Sequence, residues 1–159
     1  MNLHTVALEL PPDGNLIVGQ AHFIKTAEDL AEIVAVIPGA RYGIAFCEAS
    51  GPRLIRTEGN EPALVALAAE NARRVGAGHA FYIALAGIFP ITVLEAVKRC
   101  PEVCRVFCAT GNPVEAIVAE TDQGRGILGV VDGQPPLGLE DDAARTKRRE
   151  FLRAIGYKK

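Results

Sequence analysis

The 159-residue chain has no apolar stretch long enough to cross a lipid bilayer. Its longest apolar run, from Ala80 to Leu94, is interrupted by Gly87 and Pro90 and falls short of the roughly 20 residues that a spanning helix needs. The N-terminus has no basic region followed by an apolar stretch, so we expect no signal peptide. These absences predict a cytoplasmic protein that does not contact membranes.

An excess of positive charge is also absent. The chain holds 17 Lys and Arg against 19 Asp and Glu, a net charge of −2. Proteins that bind nucleic acid usually carry a basic excess, so we expect no nucleic-acid partner. Residues 140–159 hold seven basic and four acidic residues (7 − 4 = +3), which leaves −5 for the rest. This segment predicts a basic terminal helix that is either solvated or in contact with phosphate, an acidic neighbour or a partner subunit.

Several catalytic signatures are missing as well. The sequence has no G-x-x-x-x-G-K-[ST] loop, which excludes a P-loop kinase. The protein-kinase signatures and G-x-S-x-G do not occur, nor do H-E-x-x-H and the EF-hand loop. Phosphate or nucleotide chemistry based on histidine is still compatible with the sequence.

Four cysteines are present, and three follow a C-x₃-C-x₃-C spacing at Cys100, Cys104 and Cys108. Zinc and iron–sulfur sites more often use C-x₂-C pairs. Cys104 and Cys108 also lie in an apolar run typical of a strand. We therefore expect reduced core thiols and keep a metal site built on the three cysteines as the alternative.

The composition is that of one globular domain, with 49% apolar and 23% charged residues. Strand pairs and strand–helix–strand units alternate, which predicts an α+β fold: one domain over residues 1–159, a mixed sheet with helices packed on it. Predicted strands cover 5–10, 16–18, 42–49, 54–58, 81–86, 104–109, 115–120 and 127–131. Helices are predicted after the caps Thr26, Asn60 and Asp141 and from Pro90 to Lys98.

Polar residues cluster at turns beside these strands, and the first cluster is GQAHFIK at 19–25. His22 is a candidate general base or phosphoryl acceptor, because a free imidazole titrates near pH ~6.5. Lys25, at the entrance of a helix, is a candidate for neutralising a phosphate together with the helix N-terminal amides. The alternative is a structural histidine beside an exposed lysine.

Two more turns carry candidate residues. Glu48 closes an apolar strand and is followed by Ser50 and Gly51; its carboxylate is a candidate for binding ribose or orienting a hydroxyl, or for capping the turn. In GAGH at 76–79, Gly78 allows close backbone approach to a ligand, and His79 comes just before the next strand, at the edge of the sheet. The alternative is a glycine helix stop with an incidental histidine.

The fourth cluster combines Asn112 with the segment ETDQGRG at 120–126. Arg125 between Gly124 and Gly126 is its most distinctive feature, because glycines let amides converge on an anion and a guanidinium adds bidentate charge. Glu120 begins the segment. The alternative is a glycine hairpin with a solvated arginine.

Taken together, the segments at 19–25, 43–51, 76–79 and 120–133 resemble the adenosine-specific kinase family, and the resemblance covers the chain from about Leu8 to Tyr157. It implies an α/β fold particular to that family, a homo-oligomer of the trimer kind, and a site for adenosine or AMP. It also implies that a histidine can carry phosphate. His22 is the first choice and His79 the second.

The function implied by this resemblance is phosphoryl transfer to adenosine, with ATP or another phosphate donor and with Mg²⁺ wherever ATP is the donor. His22, His79 and Glu48 are the catalytic candidates. The binding candidates are Lys25, Ser50, Gly51, Gly78, Asn112, Glu120, Gly124, Arg125 and Gly126. The alternative function is an adenosine- or AMP-binding sensor without catalysis.

Overall fold

The computed structural model describes all residues from 1 to 159 and contains eight strands and four α-helices. The strands are β1 Asn2–Leu8, β2 Asn15–Ala21, β3 Arg41–Cys47, β4 Ile55–Gly59, β5 Ala80–Ala86, β6 Val103–Thr110, β7 Val114–Glu120 and β8 Arg125–Asp132. The helices are α1 Thr26–Ala35, α2 Pro62–Val75, α3 Leu94–Arg99 and α4 Asp142–Ala154, with a 3₁₀ turn at Pro90–Thr92.

The strands form two sheets, one of five strands in the order β4-β3-β5-β2-β6 and one of three in the order β1-β7-β8. The predicted α+β class is confirmed, but the single mixed sheet becomes two sheets whose ladders are all antiparallel. The two strands of each strand–helix–strand unit do run parallel to each other. They are not neighbours in the sheet, because a third strand lies between them, as β3 lies between β4 and β5, and so no parallel ladder forms.

The five-stranded sheet separates two apolar clusters. On one face α1 and α3 bury side chains such as Leu30, Val34 and Val97 against the sheet. On the other face α2 and the three-stranded sheet pack together, with Ala72 and Val118 among the enclosed side chains. The central strand β5 is buried along its whole length, as its continuous apolar sequence predicts.

Helix α2 lies unusually close to β3 because position 43 is glycine. A methyl group at Gly43 would come within 2.1 Å of the Leu64 carbonyl carbon and the Val65 nitrogen. This backbone-to-backbone approach fixes the start of α2 against the sheet, and the opposite end of α2 forms one wall of the site described below.

Two of the predicted helix caps are wrong. Thr26 is the first helical residue, and its hydroxyl donates to the Phe23 carbonyl at 2.7 Å instead of accepting from a helix amide. Asn60 lies before the cap position, which Glu61 occupies; the Asn60 amide bonds Tyr42 N–H and Ala40 C=O, both at 2.9 Å. An asparagine side chain satisfies neighbouring backbone groups equally well in a turn, so its type alone does not locate the cap.

The prediction for the terminal helix is confirmed. The Asp141 carboxylate accepts from the Ala144 amide at 2.7 Å, and Gly156, with φ at +78°, follows the end of α4. Gly76 ends α2 in the same left-handed conformation, with φ at +66°.

Three of the four cysteines are buried, as expected of core thiols, and burial raises the pKa of Cys47 and of Cys108 to about 11. Cys104 is exposed, so its assignment to the core is wrong. It lies on β6, the edge strand of the five-stranded sheet, which is paired with another strand along one side only.

None of the helices combines the length and the apolar character that crossing a bilayer requires.

Candidate functional site

One end of the five-stranded sheet gathers the polar residues that the sequence singles out. Strands β2 and β3 end there, and β4, β5 and β6 begin there, because neighbouring strands run antiparallel. His22 follows β2, Glu48 follows β3, His79 precedes β5 and Glu102 precedes β6. The ladder thus places side chains from distant parts of the sequence along one edge.

A cleft of about 820 Å³ opens beside this edge, on the face that carries α2. Its walls are the end of α2, the turn between β3 and β4, and the hairpin between β7 and β8. The charged side chains that line it are Glu48, Arg53, Arg73 and Arg125. Three guanidinium groups against one carboxylate make the cleft suited to an anion.

The one carboxylate is already engaged. Glu48 accepts from the Leu54 amide at 2.8 Å and from the Arg56 guanidinium at 2.6 and 2.8 Å. The hydrogen bond from the Leu54 amide lowers the pKa of Glu48, and the hydrogen bonds and positive charge of Arg56 lower it further. A carboxylate held in this way is a weak proton acceptor, and its visible role is to fix the β3–β4 turn that forms a cleft wall.

Two of the three arginines have acidic partners, and one does not. Arg73 pairs with Glu70, and Arg125 pairs with Glu120 at 3.1 Å. Arg53 lies in the β3–β4 turn with a positive φ of 53° and pairs with no carboxylate. A guanidinium has five N–H donors, so Arg125 also keeps donors for a ligand.

Gly76 lies beside the Arg125 side chain. The Arg125 guanidinium is 3.5 Å from the point where a methyl group on Gly76 would sit. The nearby Gly124 amide is used within its own hairpin, since it donates to the Thr121 carbonyl at 3.2 Å. The positive charge of the cleft therefore comes from arginine side chains, and the Gly124 amide is not free to bind a ligand.

The two histidines lie on the other side of the same sheet edge. His79 has a positive φ of 61° and is held between two strands: its amide donates to Cys47 C=O at 2.8 Å, and its carbonyl accepts from Ala21 N–H at 2.9 Å. Its ring stacks on Phe46 with centroids 5.9 Å apart and meets the exposed His22 ring edge-on at 6.3 Å. Gly78 lines the cleft and His79 follows it in the sequence, so a single peptide bond connects the cleft with the pair of histidines.

Lys25 belongs to a third group, beneath His22. Its ammonium pairs with Asp29 and, at 3.4 Å, with Glu102. Glu102 is buried and accepts from the Cys100 thiol at 3.1 Å. The hydrogen bond with Asp29, together with the Cys100 thiol and the Lys25 charge, lowers the pKa of Glu102 to about 2. Lys25 is thus bound to this chain's own carboxylates.

Asp29, Cys100 and Glu102 are also the one group of side chains placed to share a metal ion. Cys104 and Cys108 take no part in it, so the C-x₃-C-x₃-C spacing does not converge on one point. The Lys25 ammonium already pairs with both carboxylates of this group.

The predicted site residues are therefore only partly brought together. Those that line the cleft are Glu48, Gly78, Gly124, Arg125 and Gly126. Glu120 adjoins it through its ion pair with Arg125, and Ser50 and Gly51 lie in the turn between the lining residues Ala49 and Pro52.

Asn112 is placed elsewhere. It follows β6 at the end opposite to the cleft, roughly 25 Å away along an eight-residue strand. Its side chain is 3.4 Å from the Asp132 carboxylate, which also accepts from Thr110 at 2.6 Å. Within a single chain, this asparagine therefore stabilises a turn that lies far from the three arginines of the cleft.

Sequence reasoning missed Arg53, Arg56 and Arg73. Arg53 could have been noticed as a cation in a Gly-Pro turn next to Glu48. Arg73 carries no local signal, because a basic residue in the last turn of a helix is common on structural grounds alone.

Comparison with known proteins identifies the family of the chain. The family model described as "Adenosine specific kinase" matches residues 6–158, and the chain belongs to that family. The chain is also similar to the PH1918 protein from Pyrococcus horikoshii OT3, whose crystal structure superposes with a TM-score of 0.94 at 42% identity over 99% of this chain and 98% of that one. No curated protein matches the sequence.

Proposed function

We propose that this protein binds adenosine or AMP in the arginine-lined cleft and transfers a phosphoryl group to the 5′-hydroxyl of adenosine. The observation that carries the proposal is the set of three guanidinium groups facing one committed carboxylate in a cleft of about 820 Å³. Adenosine is chosen as the nucleoside because the chain belongs to the adenosine-specific kinase family. The phosphate donor is ATP or another phosphorylated compound.

In this proposal the arginines hold the phosphoryl group. Arg53 has no acidic partner to displace, and Arg125 offers the donors that Glu120 leaves free. Phosphoryl transfer depends more on positioning and charge neutralisation than on covalent chemistry, which fits a site rich in arginine. Glu48 holds the turn that positions Arg53.

Transfer proceeds in two steps if a histidine takes part. An imidazole nitrogen of His22 attacks the donor's terminal phosphorus, an N–P bond forms, and the P–O bond to the leaving group breaks. The adenosine 5′-oxygen then attacks the same phosphorus, the N–P bond breaks, and the hydroxyl proton passes to solvent. The exposure of the His22 ring favours it as the acceptor, and His79, beside it, is the second choice. Both rings lie across the sheet edge from the arginines, so this route requires the 5′-hydroxyl to reach past the Gly78–His79 peptide, whereas direct transfer from the donor takes place within the cleft.

The side chains that line the cleft include no free carboxylate to bind Mg²⁺. Oxygen ligands are what this ion prefers, and the one lining carboxylate, Glu48, is bound to Leu54 and Arg56. No step of the proposal is therefore assigned to a protein-bound magnesium ion.

Calorimetry and a product assay test the proposal together. We expect wild type to bind AMP and to form AMP from adenosine and ATP. Arg125→Ala should weaken AMP binding by roughly 10-fold or more, the loss expected for a charge-assisted contact. Arg99→Ala removes an arginine whose pair with Glu95 is fully on the surface, and it should bind like wild type. Equal affinity in both variants would place the ligand outside this cleft.

The histidine step has its own test. His22→Asn keeps a polar side chain but cannot form the phosphohistidine, so labelled ATP should no longer label the protein and AMP formation should fall. His79→Asn is the parallel variant. Undiminished AMP formation by His22→Asn would remove His22 from the reaction.

A second candidate function is adenosine or AMP binding without turnover. It is favoured by the low pKa of Glu48, which leaves the cleft without a carboxylate base. Tight AMP binding with no product from any phosphate donor would select it. The homotrimer implied by the family resemblance stays a prediction.

A further inference from the structure

The cleft has an apolar part as well as its arginines. Cys47, Ala72 and Ala77 line it and are almost fully buried, and Ile55 and Ala119 line it too. We call these five residues the apolar lining. A flat ring system such as a nucleobase packs well on small, uncharged side chains, while polar groups nearby fix its orientation.

Few side chains of the cleft can accept a hydrogen bond. Of the residues that line it, Glu48, Thr121 and Gln123 alone carry a side-chain oxygen. Glu48 is committed to the β3–β4 turn. The Thr121 hydroxyl donates to the Gly124 carbonyl at 3.2 Å and accepts from the Gln123 backbone N–H at 3.3 Å. The Gln123 side chain takes no part in these bonds, so its oxygen is the acceptor left for a ligand.

The β7–β8 hairpin holds Gln123 at one wall of the cleft. Thr121 and Gly124 bond each other through both of their backbone groups, at 2.9 and 3.2 Å, which closes the turn around Gln123. Arg53 lies on a different wall, in the β3–β4 turn, and the Arg125 guanidinium lies beside the end of α2. One ligand can therefore meet the arginines with its phosphate and Gln123 with its base.

A guanidinium and an amide select different bases. Arginine has donors only, so it pairs with phosphate oxygens or with the N7 and O6 acceptors of guanine. Adenine instead presents its N6 amino donor beside the N7 acceptor, and a glutamine amide matches both. Guanine and hypoxanthine present two acceptors on this edge, of which one amide can bond only one. The arginines by themselves would favour guanine, and adenine requires the amide.

We propose that Gln123 determines the base specificity of this cleft. Its side-chain oxygen accepts from the N6 amino group of adenine and its NH₂ group donates to N7, while the base packs on the apolar lining. This inference rests on the proposed function in that the ligand is a nucleotide held by the arginines, and it adds the residue that selects adenine.

Calorimetry with AMP, IMP and ribose 5-phosphate tests the assignment. Wild type should bind AMP roughly 10-fold or more tightly than IMP. Gln123→Met keeps the length of the side chain but removes both hydrogen-bonding groups. It should weaken AMP binding roughly 10-fold, bring AMP and IMP to similar affinities, and leave the affinity for ribose 5-phosphate unchanged.

Gln134→Met is the matched control. Gln134 is exposed and follows β8 at the end away from the hairpin, so this variant should keep the wild-type preference for AMP. Equal losses for all three ligands in Gln123→Met would mean that the residue only shapes the hairpin and would overturn the proposal. An unchanged preference for AMP would overturn it too.

The N7 contact has a separate readout. The 5′-monophosphate of 7-deazaadenosine carries a C–H in place of N7, so wild type should bind it more weakly than AMP and Gln123→Met should bind both alike. Equal binding of the two by wild type would overturn the assignment of this edge.

Arg125→Ala separates the two proposals. If Arg125→Ala weakens AMP binding and Gln123→Met does not, the cleft holds the nucleotide but another group selects the base. If neither variant changes AMP binding, the ligand lies outside the cleft and both proposals fail.

Discussion

Glu102 is the only charged residue among the buried side chains. Lys25, Asp29 and Cys100 surround it, and these three come from α1 and from the end of α3. A buried carboxylate without partners would be costly. Here the partners keep it ionised, so its charge ties the start of β6 to α1, directly below His22.

Replacing Glu102 with glutamine should lower the free energy of unfolding at neutral pH by about 1–3 kcal/mol, the usual cost of losing a charged partner in a buried hydrogen-bonded group. The folded pKa of Glu102, about 2, lies below the unfolded value of about 4.3. The stabilisation is therefore present above pH about 4.3 and is lost as the pH falls towards 2. Urea unfolding at a series of pH values measures it.

In that series wild type should lose stability between about pH 5 and pH 2, and Glu102→Gln should lose less over the same interval. Glu95→Gln is the matched control, because Glu95 forms an exposed pair with Arg99. Parallel curves for wild type and Glu102→Gln would contradict the assignment.

At the scale of helices and strands, the contact between α2 and β3 depends on a single missing side chain. Gly43→Ala would place a methyl group 2.1 Å from the backbone at Leu64 and Val65, and backbone cannot move aside as a flexible side chain can. We expect a loss of about 1–3 kcal/mol or more in the free energy of unfolding, measured by thermal or urea denaturation.

Gly138→Ala is the control for this change, because a methyl group at Gly138 meets nothing within 4 Å. Its stability should match that of wild type. If Gly43→Ala were equally stable, α2 would have to sit further from β3 than the structure places it.

Elements with strong local signals could be predicted from the sequence. The run AFYIALA predicts a strand buried on both faces, and β5 is one; Asp141 predicts a helix start and caps α4. Asn60 failed as a cap because its amide finds backbone partners in Tyr42 and Ala40, which lie about 20 residues earlier in the chain. The residues next to Asn60 in the sequence do not indicate which distant backbone groups its side chain will bond.

At the scale of the whole molecule, the candidate site was predictable in its parts but not in its assembly. Arg125 and Gly78 were identified from glycine-rich segments, and both line the cleft. Asn112 was grouped with them, yet the strand order puts it at the far end of β6. Which strand ends meet depends on long-range pairing, and spacing along the chain does not encode this directly.

The four thiols should react very differently in the intact protein. Cys104 is exposed and should be labelled quickly by a thiol reagent, whereas burial raises the pKa of Cys47, Cys100 and Cys108 to about 11 and shields them. Labelling followed by mass spectrometry should give one fast modification per chain and three slow ones.

In urea all four thiols should react at similar rates. The Cys104→Ser variant is the control, and it should lose the fast modification alone. Rapid reaction of Cys108 in native buffer would show that the space between the two sheets opens without unfolding.

Strand β6 leaves a row of backbone groups unpaired along the side of the five-stranded sheet that faces away from β2. Its ladder with β2 shifts register twice, at Val18/Gly19 and at Gln20/Ala21, and Arg105 stands exposed on it. Irregular pairing bends and twists a strand, and a charge on it repels a flat, matching strand. The molecule is thereby guarded against edge-to-edge polymerisation on the side where its one accessible sulfhydryl lies.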